Sequence, residues 1–105
     1  MKYYQARARA EILKALAHPV RVLIVHALRG GDLCVCELNK LAKIDQSNVS
    51  RHLAVLKKAG ILTDRRAGMR VFYHLHTPCI LQAFDCAVNV VREDAKRRDQ
   101  YTKTL

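Results

Sequence analysis

The chain has 105 residues, half of them hydrophobic, and its 19 Lys plus Arg against 9 Asp plus Glu give a formal net charge of +10. That length holds one domain, here residues 1–105, with a core of modest size. The charge favours a polyanionic partner, nucleic acid ahead of an acidic membrane surface, and no apolar run approaches the ~20 residues that span a bilayer.

Residues 3–17 carry Tyr4, Ala8, Ile12, Ala15 and Leu16 at helical spacing. His18-Pro19 ends that helix, and Pro19 suits the first turn of the next. Val20, Leu23, Ile24, Ala27 and Leu28 then form the apolar face of a second helix, which Gly30-Gly31 stops. In DLCVCELNKLAKI, the face formed by Val35, Leu38, Leu41 and Ala42 predicts a short helix of about two turns starting near Cys36. Asp45-Gln46-Ser47 breaks it. Asn48 to Ala59 is a further helix, with Val49, Leu53 and Leu56 inward and Ser50, Arg51, Lys57 and Lys58 outward. Gly60 is placed to be its left-handed C′ residue. Lys57 and Lys58 are expected to be solvated.

After Gly60 the period changes to 2. ILTDRR and RVFYHL read as two strands joined by AGM, a hairpin loop containing Gly68. Thr77-Pro78 opens a last helix with Ile80, Leu81, Phe84, Ala87, Val88, Val91 and Ala95 on its apolar side. The tail QYTKTL is expected to fray. The expected fold is mainly α, a winged helix-turn-helix in the order α-α-α-α-β-β-α.

Two helices and a tight turn are a common packing motif, so the pattern alone is weak. Three features make it DNA-binding here. The segment DQSNVSRH puts small polar residues at the start of the reading helix, where base contacts are usually made. Arg65, Arg66 and Arg70 flank the hairpin loop and suit a phosphate backbone or minor groove. The net charge has the right sign.

LAHPVRVLIVHAL, LCVCEL, DQSNVSRHLAVLKKAGIL and a hairpin ending in VFYHL together resemble the ArsR/SmtB family of metal- and metalloid-responsive repressors, over about residues 8–95. LCVCEL is similar to the thiol motif of its arsenic- and cadmium/lead-sensing branches, the arsenic branch above all. The resemblance implies a homodimer joined through the first and last helices. It further implies binding to an inverted-repeat operator in double-stranded DNA and release by the ligand. By the same match Gln46, Ser47, Asn48, Ser50, Arg51 and His52 are the reading-helix candidates, with His52 equally placed to pack beneath the helix. It implies no enzymatic activity, and no nucleophile–base–acid set or phosphate loop argues for one.

The chain begins MKYYQARARAEILKALAHP, without a signal-peptide pattern, so a cytoplasmic location is expected. There the four cysteines are expected to be free thiols, metal ligands or redox sensors rather than structural disulfides. Thiolates are soft donors, which suits As(III) or Sb(III) first and Cd(II) or Pb(II) next. Two sulfurs on one ion lie within roughly 4 Å, given metal–sulfur bonds of ~2.3 Å. A regular helix sets positions i and i+2 about 200° apart, so Cys34 and Cys36 need irregular backbone to converge. An ion drawing them together would disturb the short helix and, through Lys43-Ile44-Asp45, the reading helix.

Arsenic-sensing members often carry a third Cys three residues after the pair; here that position is Asn39. Cys79 and Cys86 are further candidates, although ~10.5 Å apart along one helix they cannot clasp one ion within a chain. Either can supply a third ligand or line the dimer interface; solvent or glutathione can also fill that place. Cys79 and Glu93 match last-helix ligand positions of zinc-sensing members, but Thr77 and Val90 replace the acidic residue and histidine expected beside them. His74, His76 and Cys79 form H-x-H-x2-C, readable as a metal pattern or as the wet face of a strand. The alternative reading is a repressor that senses oxidants or persulfides through the same thiols.

Overall fold

The computed structural model describes residues 1–41 and 48–104. Helix α1 spans Tyr3–Leu16 and α2 spans Pro19–Ala27, followed by a 3-10 turn at Leu28–Gly30. Strand β1 is Leu33–Cys34, α3 is Val35–Leu41 and α4 is Val49–Lys58. Strands β2, Leu62–Ala67, and β3, Arg70–Leu75, precede a 3-10 turn at Pro78–Ile80 and the 24-residue α5, Leu81–Thr104.

Local chemistry sets the boundaries. The backbone N–H of Lys2 donates to the Gln5 side chain at 2.8 Å, closing the start of α1. His18 caps α2 by accepting from the Val20 N–H at 3.1 Å, with Pro19 at the first helical position, where its missing N–H costs nothing. Gly60 has φ 85°, and the N–H groups of Gly60 and Ile61 bond back to Lys57 and Leu56 at 3.0 and 3.1 Å. This paired closure is the Schellman motif, and it sends the chain from α4 directly into the wing.

The sheet order is β1-β3-β2, antiparallel throughout. It has three strands where the sequence suggested two. Ala67 faces Arg70, which leaves Gly68 and Met69 as a two-residue turn. Only Gly68 of that pair has positive φ, 63°, as a II′ turn requires.

One core lies among α1, α2, α3, α4 and the roots of the strands. It contains Leu16, Ile24, Val25, Leu38, Val49, Leu53, Leu56, Ile61 and Leu75. The inward set foreseen for α4 is buried, while Ser50 and Arg51 are exposed. Ile80, Leu81 and Phe84 pack on this core, but α5 has no fully buried residue, and Val88, Val91 and Tyr101 are exposed. The tail expected to fray is helical as far as Thr104. Ion pairs Arg98–Asp94 at 2.8 Å and Lys103–Asp99 at 3.0 Å brace the last turns. Lys57 is not simply solvated either: its Nζ donates to Asp64 at 3.0 Å, tying α4 to β2.

Candidate nucleic-acid interface and sulfur site

Helix α4 presents Ser50 and Arg51 to solvent near its N-terminus, and Asn48 is half-buried just ahead of it. Gln46, Ser47 and the connection through Lys43, Ile44 and Asp45 lie outside the described residues. His52 is not on the reading surface. Only 7% exposed, it accepts from Arg21 Nε at 3.0 Å and packs against the His18 ring, with centroids 4.2 Å apart. Arg21 also donates to the Ala15 carbonyl at 3.2 Å. The sequence left two places open for His52; the structure puts it beneath the helix, joining α1, α2 and α4.

The three wing arginines are exposed but not equivalent. The Arg65 guanidinium lies 4.7 Å from the centre of the Phe72 ring, and its Nε is 3.6 Å from Asp32. Asp32 also meets His74 Nδ1 at 2.7 Å. The His74 hydrogen bond, ahead of the Arg65 charge, holds the Asp32 carboxyl below its ordinary range. Burial pushes the Tyr73 hydroxyl up. Asp32 therefore fixes the root of the wing to the loop after α2. Sequence reasoning missed it, because an acidic residue after two glycines has no periodic signature. His74 is occupied by Asp32, and among the described residues no three Cys, His, Asp or Glu side chains gather as a metal site.

Cys34 closes β1 and is buried, while Cys36 lies exposed in the first turn of α3. Their sulfurs are joined as a disulfide, with the Cα atoms 5.4 Å apart. Free thiols, metal ligands or redox sensors were expected here rather than a disulfide. The local backbone explains the junction: in a strand, positions i and i+2 share a face, and the helix begins only at Val35, so the 200° separation of a regular helix does not apply. The Cys34 N–H donates to Glu37 Oε1 at a long 3.5 Å, the reciprocal half of a capping box. Beside the pair, Val35, Met69, Arg70 and Val71 complete the lining of an open cavity of about 300 Å³. Cys34 is also registered opposite Phe72, so the sulfur site adjoins the wing directly. Cys79, in the turn before α5, and Cys86, within α5, are free and exposed and do not line that cavity.

The profile described as "Bacterial regulatory protein, arsR family" matches residues 18–64, from the cap of α2 into β2. The arsenic resistance transcriptional regulator ArsR1 of Pseudomonas putida is 47% identical over 66 residues, covering 62% of this chain and 52% of that protein. The chain thus matches only about half the length of that relative. The transcriptional repressor BigR from Xylella fastidiosa has a similar structure, with TM-score 0.72 and 33% identity over 83% of this chain and 89% of that one. The AntR antimony-specific transcriptional repressor superimposes with TM-score 0.74 and 28% identity, over 90% of this chain and 86% of that one. With the capped helix pair and the wing in agreement, the chain belongs to the ArsR/SmtB family of transcriptional regulators.

Proposed function

We propose that this protein is a homodimeric repressor that binds an inverted-repeat operator in double-stranded DNA and releases it when a thiophilic ion occupies Cys34 and Cys36. As(III) or Sb(III) is the favoured inducer, ahead of Cd(II) or Pb(II), and the site of action is the cytoplasm. The observation that carries this reading is the meeting of the two sulfurs at the β1–α3 junction, where strand geometry gives way to helix. Two reduced sulfurs that can approach that closely can share one soft ion. The names of ArsR1 and AntR, which refer to arsenic and antimony, support the order of preference.

DNA is contacted by Gln46, Ser47, Asn48, Ser50 and Arg51 of the reading segment and by Arg66 and Arg70 of the wing, with Arg65 shared between phosphate and Asp32. His52 supports the reading helix from behind. The dimer forms through α1 and α5, whose Tyr3, Tyr4, Leu13, Val88 and Val91 are exposed in one protomer. Cys79 and Cys86 are secondary candidates for ligand or interface roles. Both reading helices must meet one face of the duplex a groove repeat apart, so a small displacement of either weakens binding. A coupling of ~1–3 kcal/mol changes affinity 5–150-fold.

The test uses fluorescence anisotropy of a duplex selected from random-sequence DNA. The reduced protein is titrated with arsenite, antimonite, cadmium and zinc. Arsenite should release DNA from the wild type, and Cys34→Ser and Cys36→Ser should bind DNA but keep it. Unliganded variants that cannot bind DNA would count against the assignment. The bonded sulfurs support a second reading, a thiol redox sensor. Release by diamide in place of arsenite selects it.

A further inference from the structure

The Cys34–Cys36 pair supplies two sulfurs, and among the described residues no third Cys, His, Asp or Glu joins it. The lining of the cavity beside the pair nonetheless includes a third sulfur-bearing residue. Met69 lines it together with Cys34 and Cys36. This methionine is 99% exposed, so packing gives no account of it. It occupies the second position of the II′ turn, held at the tip of the wing by Gly68 and by the Ala67–Arg70 pairing. The β1–β3 ladder, with Cys34 opposite Phe72, keeps that tip alongside the sulfur pair.

We propose that Met69 is the third sulfur donor of the site, and that the resulting two-thiolate, one-thioether set takes a soft monovalent ion of the Cu(I)/Ag(I) class. The inference rests on the reading of Cys34 and Cys36 as the inducer's donors and adds a ligand class to it. Thioethers are neutral and polarizable, and together with thiolates they select Cu(I). As(III) instead takes its third ligand from solvent or a small thiol and leaves Met69 aside. The pair must first be reduced: a phosphine gives two electrons to the disulfide, two protons come from water, and the phosphine leaves as its oxide. Binding then forms three bonds from sulfur to the ion and releases the two thiol protons to solvent. The unbranched, flexible side chain of Met69 is free to turn toward the pair across the cavity that they line together.

The chain has two methionines, Met1 and Met69, so the 13C-methyl spectrum of methionine-labelled protein has two signals to follow. Phosphine-reduced full-length protein is titrated anaerobically with Ag(I), a redox-inert member of the class. The Met69 methyl should shift and saturate at one equivalent, the Met1 methyl should stay in place, and arsenite should move neither. Met69→Leu should bind Ag(I) at least about tenfold more weakly, the low end of what losing a contact at a metal site costs. Its affinity for arsenite should be unchanged. Cys36→Ser, at an exposed position, serves as the thiol control. If Ag(I) binding depends on Cys36 while the Met69 methyl is unmoved and Met69→Leu binds normally, the inference is overturned and the thiol site stands. If neither Ag(I) nor arsenite protects the two thiols from a thiol-counting reagent, the thiol reading itself fails.

Discussion

Asp32 performs two tasks with one carboxylate, holding His74 at 2.7 Å and Arg65 at 3.6 Å. Its carboxyl is held below the ordinary value, first by the His74 hydrogen bond and then by charge. The sign follows from linkage: a carboxyl more acidic in the folded state stabilises the fold above its unfolded pKa, near 3.9, and loses that contribution as pH falls through the folded value. Asp32→Asn should therefore flatten the acid limb of stability below about pH 4, read by thermal melts across pH; an unchanged limb would remove Asp32 from the account. His52 is a different case, buried and bonded to Arg21. His52→Ala leaves the Arg21 Nε–H without its acceptor and should cost about 1–3 kcal/mol in urea unfolding. A loss within ~0.5 kcal/mol, typical of surface substitutions, would return His52 to the reading surface.

At the level of elements, the wing depends on Gly68. Its φ is 63°, and no atom lies within 4 Å of where a Cβ would stand. Gly68→Ala therefore meets only backbone strain and should destabilise by about 1–2 kcal/mol, seen as a lower urea midpoint; no change would show that the turn rearranges freely. The elements with a period or a punctuating residue were legible in the sequence. Helix α4 showed its apolar stripe and Gly60 its capping position, and both hold. Strand β1 was invisible because two residues have no period, and it forms only because β3 offers a free edge. The end of α5 was hidden for another reason: its stripe runs out near Ala95, and charged pairs four residues apart take over. For the sulfur site, the sequence showed that the thiols needed irregular backbone to meet. It could not show that the wing would lie beside them, since that depends on long-range pairing.

The whole molecule measures 63 × 38 × 24 Å, with a radius of gyration of 17.0 Å, against ~13 Å for a compact chain of 100 residues. Helix α5, ~36 Å long at 1.5 Å per residue, packs Leu81 and Phe84 on the core but carries Val88 and Val91 away from it. In the proposed dimer such a chain gains its remaining burial from a second copy, and its stability should follow concentration. A roughly hundredfold dilution should lower the melting temperature by several degrees, and Val91→Asp should abolish that dependence by leaving a monomer. A melting temperature independent of concentration in the wild type would exclude the dimer.

The covalent link between Cys34 and Cys36 encloses Val35 alone. In the chain-entropy picture, closing three residues restricts the unfolded state by only ~1.6 kcal/mol, whereas a loop of 100 gives about 4.7. A clasp this small staples no distant parts of the chain together. On the proposed reading it opens or shuts while the architecture around it persists, so that a chemical signal would be recorded without putting the fold at risk.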